Sequence, residues 1–213
     1  MTRAPVVPHP LLLACLCCLC LAPSPARADL LGQFAHNVGA VRSLSCDFTQ
    51  DKHMAFLPRP LRSEGRLAFE RERGGAPALL WEYAAPTPSG FWHAHGQNWL
   101  WVSDRATLHR ATGQEDRVLL AVLQHILRWF TVQPHRLREQ YAVTEEPADA
   151  CLVFTPRHEG FFTRLRVCLH EDLRSLRSLH ITERNGDSTS LTFSVPTVNG
   201  APLTTFPDGT PLP

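Results

Sequence analysis

Most of the chain after residue 43 is built from short segments in which apolar and polar residues alternate. Alternation with a period of two places successive side chains on opposite faces of a β-strand, so these segments are predicted to be strands. They are 44–49, 66–71, 79–84, 99–102, 152–155 and 164–169. Gly, Pro and Asn separate neighbouring segments at distances typical of hairpins, which predicts an antiparallel meander.

Four tryptophans belong to this strand-rich region: Trp81, Trp92, Trp99 and Trp101. The segment 99–102 is apolar on both of its faces, so another part of the protein should cover each face. We interpret the tryptophans as side chains that fill a covered sheet surface. A stacking platform for sugars or bases is the alternative.

Two segments have the helical period instead. Apolar residues between positions 30 and 42 recur at about 3.6-residue spacing, which predicts a first amphipathic helix. Thr112 and Glu115 form a capping-box pattern that predicts a second helix running to about Phe130. Its apolar face is very wide and is formed by Val118, Leu119, Val122, Leu123, Ile126, Trp129 and Phe130. A helix on an ordinary protein surface has a narrower stripe, so this helix should be deeply buried or lie over an apolar cavity.

The first 28 residues have the layout of a secretory signal. Arg3 precedes an unbroken apolar run over residues 11–22, which is too short for a membrane-spanning helix of about 20 residues. The small-x-small sequence at residues 26–28 predicts cleavage before Asp29. The mature protein would then be a single domain of residues 29–213.

A lipobox-like sequence inside the same apolar run leaves a second interpretation open. Leu12-Leu13-Ala14-Cys15 precedes further apolar residues, and a lipid attached to Cys15 would anchor the protein to a membrane. An anchored protein would act as a receptor rather than as a shuttle. The mass of the mature N-terminus distinguishes the two.

Three cysteines follow the predicted signal: Cys46, Cys151 and Cys168. If the segments around the last two form a hairpin that turns at Glu159-Gly160, Cys151 lies opposite Cys168 within reach of a disulfide. An oxidising compartment would permit that bond, and two independent thiols are the alternative. The odd number leaves at least one thiol free or paired between chains, and the state of Cys46 stays open.

A second hairpin is marked by Asn185-Gly186. A two-residue loop would place side chains of opposite character on the same face. A loop of three or five residues centred on Gly186 places Ile181 opposite Leu191, so the face pattern predicts the longer loop. The tail after Val195 is rich in proline and is predicted to be irregular.

Charge and motifs exclude several functions. The chain has 21 Lys and Arg against 20 Asp and Glu, and this near-neutral balance argues against nucleic-acid binding. The part after residue 28 contains no motif for nucleotide hydrolysis, dinucleotide binding, serine hydrolysis, zinc proteolysis or CxxC redox chemistry. We therefore predict no enzymatic activity, no cofactor and no metal.

His93 and His95 are the strongest candidates for metal or acid–base chemistry, because they would share one face of a strand. No third ligand lies nearby in the sequence. We interpret them as histidines at the surface or at the rim of a cavity. An enzyme acting on an acyl or glycosyl group is the alternative.

Several short motifs follow one another in a fixed order. They are F-x-Q at 48–50, S-x-G-x-L at 63–67 on a segment that ends in Arg71, W-x-Y-x-x-P at 81–86, Gly-Gln-Asn-Trp-Leu-Trp at 96–101 and Leu-Val-Phe-Thr-Pro at 152–156. Together they resemble the periplasmic outer-membrane lipoprotein carrier family, LolA, over roughly residues 30–195.

The resemblance implies a mainly β, or α+β, fold. It would be a strongly curved, incomplete antiparallel β-barrel, or half-barrel, with helices that form a lid over an apolar cavity. The resemblance also implies that the protein carries the acyl chains of lipoproteins through the periplasm of a Gram-negative-type bacterium, between an inner-membrane export complex and an outer-membrane acceptor. We expect a monomer. A lipid-anchored receptor of the same fold, or an accessory protein for export of another acylated or glycolipid product, is the alternative.

The family's functional arginine matches Arg71, which by resemblance would hold the lid helices by hydrogen bonds in the closed form. Arg73 is a second candidate, because Glu72 follows Arg71 where the family usually has proline. Alternation also places Arg71 on the face of Leu67 and Phe69, at the rim of the supposed cavity; a surface ion pair is the alternative. The predicted ligand-binding residues are Leu67, Phe69, Arg71, Leu79, Trp81, Tyr83, Leu119, Val122, Leu123, Ile126 and Phe130.

Overall fold

Twelve strands and three α-helices make up the fold in this computed structural model, which describes residues 29–71, 77–201, 204–206 and 211–212, apart from the side chains of residues 105, 118, 121, 122 and 125. The elements are α1 (Leu30–Gly39), β1 (Ser43–His53), β2 (Leu61–Arg71), β3 (Pro77–Ala85), β4 (Ser89–Ala94), β5 (Gln97–Val102), β6 (Asp104–Arg110), α2 (Gly113–Leu127), α3 (Pro134–Gln140), β7 (Tyr141–Glu146), β8 (Cys151–Pro156), β9 (Phe162–Leu169), β10 (Leu176–Glu183), β11 (Ser188–Phe193) and β12 (Thr197–Val198).

All strands belong to one sheet, in the order β6-β5-β4-β3-β2-β1-β11-β10-β9-β8-β7, and β12 pairs with β1. Every pairing is antiparallel. Strand β1 joins an N-terminal half, β1–β6, to a C-terminal half, β7–β11, through its pairing with β11. The prediction of a mainly β, antiparallel protein with few helices is confirmed. The sheet is open, with β6 and β7 at its two edges, and does not close into a barrel.

Helix α1 begins where its sequence pattern predicts and ends earlier. Asp29 caps it by accepting a 3.0 Å hydrogen bond from the backbone N–H of Gly32. The Asp29 carboxylate also accepts from Arg138 at 2.8 Å, and this bond holds the pKa of Asp29 below its ordinary value. The helix ends at Gly39 rather than at residue 42, and its apolar face, including Phe34 and Val38, is buried.

The capping box predicted for α2 is wrong. The Thr112 side chain makes no capping hydrogen bond, and the Glu115 carboxylate instead lies 3.2 Å from Nε2 of His109. The helix also ends at Leu127, and the residues up to Phe130 form a turn. The short helix α3 was not predicted, although Pro134 at its start is a typical first-turn residue.

The β8–β9 hairpin has the predicted register, with Leu152 opposite Val167. Cys151 lies directly opposite Cys168, and a disulfide joins them with an S–S distance of 2.09 Å. Cys46 is a free, buried thiol.

The register predicted for the β10–β11 hairpin is wrong by two residues. Ile181 lies opposite Thr189, and Leu191 lies opposite Leu179. An even shift leaves every side chain on its own face of the sheet, so the predicted faces survive the wrong register.

The two faces of the sheet carry separate apolar clusters. We call the face that packs against α1 and α2 the inner face; it includes Leu67, Phe69, Leu79 and Trp81. The opposite, outer face carries a cluster formed by Ala68, Ala78, Leu80, Trp92, Ala94, Trp101 and Phe206.

The tail predicted to be irregular has a structural role. Thr197 and Val198 form the short strand β12, and Phe206, only 1% exposed, packs its ring 5.3 Å from that of Trp101 on the outer face. On the other side of the same strand, Leu100 packs against the inner cluster. Both faces of β5 are therefore covered, as its apolar sequence predicts.

Candidate functional site

The inner face encloses a cavity of about 1070 Å³. Residues from both halves of the sheet and from α1 line it. Representative lining residues are Phe34 and Val38 on α1, Leu67, Trp81 and Phe91 in the N-terminal half, and Phe154, Leu165, Leu179 and Leu191 in the C-terminal half. Small-molecule pockets commonly measure about 300–1,000 Å³, so this cavity is slightly larger than that range.

Packed aromatic rings form part of the cavity wall. The Phe48 ring centroid lies 4.5 Å from that of Trp81, and Phe48 meets Tyr83 edge-on at 5.5 Å. Phe48 is buried and is not itself a lining residue, so it packs behind the lining rings of Trp81 and Tyr83 and supports them.

The cavity is open to solvent, and exposed apolar side chains border it. Val102, the last residue of β5, and Phe161, on the β8–β9 loop, are 62% and 70% exposed. Apolar side chains at an opening are accessible to an apolar ligand before it is enclosed.

A roof segment, Arg128–Phe130, follows α2 and contacts both halves of the sheet. The Phe130 ring stacks on Phe69 of β2, with centroids 4.0 Å apart and ring planes 9° from parallel. The next residue back, Trp129, meets Phe154 of β8 edge-on at 5.6 Å. The roof segment therefore connects the two halves of the sheet.

Arg71 ties both helix ends to β2. Its Nε donates to the carbonyl of Val41, just after α1, at 3.1 Å, and its Nη2 donates to the carbonyl of Phe130 at 2.5 Å. The guanidinium carbon lies 5.5 Å from the centroid of the Phe69 ring, within cation–π range. Carbonyls beyond a helix end lack helical partners, so one planar side chain with several fixed donors can satisfy two of them.

The predicted site residues fall into groups. Five of them line the cavity: Leu67, Trp81, Tyr83, Ile126 and Phe130. Four are buried in the core behind its wall: Phe69, Leu79, Leu119 and Leu123. Arg71 is not a lining residue and bonds to the carbonyl of Phe130 in the roof segment. The side chain of Val122 and the whole of Arg73 lie outside the described residues.

The C-terminal half of the wall was missing from the predicted set, although β8 to β11 show the same alternation as β2 and β3. Phe154, Leu165, Leu179 and Leu191 belong to the inner cluster and line the cavity. The hairpin registers alone assign these residues to one face, so pattern reasoning extended to the second half would have found them.

Three polar lining residues, Gln50, Tyr83 and Cys46, are uncharged at neutral pH. The Tyr83 hydroxyl donates to Gln50 Oε1 at 3.1 Å, and burial raises the Tyr83 pKa. Burial also raises the pKa of the Cys46 thiol, to about 12. At neutral pH this part of the wall therefore presents only neutral groups to a ligand.

His93 and His95 are not among the lining residues that the structure describes. His93 Nδ1 is 2.6 Å from Asn98 Oδ1, and the Asn98 amide donates to Asp116 at the start of α2, also at 2.6 Å. In the described ranges, no three residues of His, Cys, Asp or Glu are grouped so that they could hold a metal ion. None of the helices described is both long enough and apolar enough to cross a bilayer.

Residues 39–205 match the family model of the outer membrane lipoprotein carrier protein LolA. No curated protein matches the sequence. Among solved structures, the chain is similar to MucB at 15% identity and a TM-score of 0.55, covering 84% of this chain and 61% of MucB.

A second structure, the MucA/MucB complex of Pseudomonas aeruginosa, matches at 15% identity and a TM-score of 0.50, covering 82% of this chain and 57% of that one. LprF from Mycobacterium bovis matches at 10% identity and a TM-score of 0.45, covering 85% and 96%. The chain therefore spans about three fifths of the length of MucB. At these identities the likeness to MucB shows a shared fold.

Proposed function

The chain belongs to the LolA family of lipoprotein carriers, which are transport proteins rather than enzymes, and from this premise we propose that it shelters the acyl chains of a lipoprotein, or of a related lipid, in its inner cavity. The observation that carries the proposal is the cavity itself: about 1070 Å³ of space with mostly apolar walls. Interiors without a ligand-binding role are normally packed with few voids larger than a water molecule.

The energetics favour a temporary shelter. Moving an acyl chain out of water is worth about 0.8 kcal/mol per CH₂, so a 16-carbon chain gains roughly 12 kcal/mol. Binding of that strength would be hard to reverse. A roof that closes again over the vacant cavity lowers the net affinity, because opening it for a ligand exposes apolar surface and uses part of the gain.

Arg71 supports this opening and closing. Its two hydrogen bonds join the ends of α1 and α2 to β2, and both acceptors are backbone carbonyls at helix ends. Such bonds can break without leaving a buried charge, because the guanidinium at the rim can reach water. We propose that Arg71 stabilises the closed roof and that cargo entry separates the roof segment from β2.

The cellular setting belongs to the same proposal. A signal over residues 1–28, cleaved before Asp29, would deliver a single-domain, monomeric carrier to the periplasm. There an inner-membrane export complex would load it and an outer-membrane acceptor would empty it. A mature N-terminus at Asp29 supports this shuttle, whereas a lipid on Cys15 would make the protein an anchored receptor.

Native mass spectrometry of the protein extracted from its own periplasm tests the carrier function. We expect a fraction of the molecules to carry an acylated protein or lipid. The variant Arg71→Leu should change that loaded fraction, because the closed roof loses its two hydrogen bonds.

Arg62→Leu is the matched control, since Arg62 lies on the same strand with 65% of its side chain exposed. Absence of any acylated ligand from the wild-type protein would refute the carrier function. Identical loading and unloading of wild type and Arg71→Leu would remove Arg71 from the mechanism.

A further inference from the structure

The charges that border the cavity are unbalanced. Among the described residues that line it, Arg128, Arg174 and His158 are basic, and Glu159 is the one acidic residue. The Glu159 side chain is 91% exposed and lies 3.6 Å from Arg184 outside the cavity. The lining therefore offers positive charge to whatever occupies the cavity.

Arg128 is the most enclosed of these basic residues. It is half-buried in the roof segment, whereas Arg174 and His158 are exposed. Its Nη1 donates to Gln140 Oε1 at 3.3 Å and to the Tyr141 hydroxyl at 3.2 Å, and both acceptors are neutral. Throughout the described ranges no carboxylate lies within ion-pair distance of it.

Neighbouring arginines are paired differently. Arg138, on α3, contacts Asp29 at 2.8 Å and Glu145 at 3.3 Å. Arg166, on β9, contacts Glu146 at 2.9 Å. A partly desolvated guanidinium without a counter-charge is costly, so the missing carboxylate at Arg128 calls for a functional reason.

One edge of the Arg128 guanidinium, which we call the fork, is available to bind a ligand. Both hydrogen bonds of Arg128 use Nη1, so Nε and Nη2 make no hydrogen bond to the residues described. These two donors are the edge of guanidinium that binds two oxygens of one carboxylate or phosphate. Tyr141 holds the fork in place, because its ring stacks on Phe162 at 6.0 Å.

We propose that Arg128 binds an oxyanion at the polar end of the acyl ligand, so that the cavity selects lipids whose headgroup carries a phosphate or a carboxylate. The inference rests on the proposed carrier function for the acyl chains and adds the charge of the headgroup. Trp129 and Ile126 lie within two residues of Arg128 and line the cavity. A lipid whose anionic headgroup binds at the fork would therefore keep its acyl chain against these apolar side chains.

Matched lipid pairs test the proposal on the mature protein. One pair is hexadecanoate and hexadecanol, and the other is phosphatidylglycerol and diacylglycerol with the same two chains. Binding is measured for each by competition against one neutral fluorescent acyl probe. We expect the anionic member of at least one pair to bind about tenfold more tightly, and the preferred pair identifies a carboxylate or a phosphate headgroup.

Substitutions assign the preference to the fork. Arg128→Gln should abolish the preference for the anionic member of each pair, and Arg128→Lys should retain only part of that preference, because lysine keeps the charge and loses the fork. Arg136→Gln is the matched control, since Arg136 is exposed on α3 and is not a lining residue. It should keep the full preference.

Each other outcome overturns the proposal in a recognisable way. Equal binding within both pairs by the wild type, or a preference that survives Arg128→Gln, refutes the oxyanion site and leaves the carrier function intact. Binding of inorganic phosphate alone, dependent on Arg128, would make it a site for free anions rather than lipids. Failure to bind any of the four lipids would refute the carrier function itself. The comparison of anionic with neutral lipids on the wild-type protein can refute the oxyanion site even if a variant does not fold.

Discussion

The two faces of the sheet use the same kinds of side chain and are covered differently. On the outer face Leu80 is fully buried, the tail brings Phe206 into contact with Trp101, and a smaller, more polar pocket of about 440 Å³ lies between the tail and strands β1 and β2. On the inner face Leu67 and Trp81 border about 1070 Å³ of space. The difference lies in the cover: the tail inserts a ring into the outer cluster, whereas the roof segment spans the inner face and is held at its ends.

Matched leucine substitutions test this difference most strongly. Leu80→Ala should lower the free energy of unfolding by about 4 kcal/mol, because it creates a new cavity in place of a fully buried side chain. Leu67→Ala should lower it by only about 1–2 kcal/mol, because that side chain already borders a cavity and loses fewer contacts. Urea unfolding measures both. Equal losses would mean that the two faces are packed alike.

Removing the disulfide tests how the outer face of the C-terminal half is held. Cys151 and Cys168 alternate with inner-face residues of β8 and β9, so their bond lies on the outer side, and it closes a loop with a sequence separation of 17. For a loop of this length the unfolded chain is constrained by about 3 kcal/mol. Replacing both cysteines with alanine should cost about that much stability while acyl-probe binding remains. Loss of binding with unchanged stability would place the disulfide in the cavity's function instead.

Cys46 allows the packing of the inner face to be tested through the pH dependence of the free energy of unfolding. Its pKa of about 12 in the folded protein lies above the ordinary value of 9.0, because burial disfavours the thiolate. Its contribution to stability is fully present below pH 9 and is lost as the pH rises from 9 toward 12, since only the unfolded chain then releases the proton. Wild type should lose roughly 1 kcal/mol per pH unit more than Cys46→Ala over that range. Parallel stability curves would show that the thiol is solvated in the folded protein.

Alternation predicted which face each strand residue occupies, and this level of the fold was correct. The β8–β9 register followed from matching faces in a hairpin of known turn position. The β10–β11 register was wrong by two residues, because faces repeat every two residues and the loop geometry decides between the options. Predicting the cavity requires more than assigning residues to a face of the sheet. Its size depends on the distance between strands such as β2 and β9, which lie far apart in the sheet order.

Contacts between distant elements account for the remaining errors. Thr112 and Glu115 have the sequence pattern of a capping box but do not form one, because the Glu115 carboxylate contacts His109 on β6 instead. Arg71 was predicted to bind helix ends by resemblance, while its two acceptors, the carbonyls of Val41 and Phe130, carry no sequence signal at all. Backbone groups of any residue type can accept such bonds.

The smallest expected effect concerns the start of α2, where the inner cover meets β6. The carbonyl of Thr107 and then the Glu115 carboxylate raise the pKa of His109 above its ordinary value of 6.5. A raised pKa means that the contact stabilises the fold fully below pH 6.5 and is lost as the pH rises through the folded-state pKa. Glu115→Gln should lower the His109 pKa, because the carboxylate that favours the protonated imidazole is lost; an NMR titration of the imidazole measures the change. The side chain is exposed, so global stability should hardly move, in contrast to Leu80→Ala. An unchanged His109 pKa in Glu115→Gln would show that the start of α2 is positioned without this pair, which would leave the Asn98–Asp116 hydrogen bond to hold it.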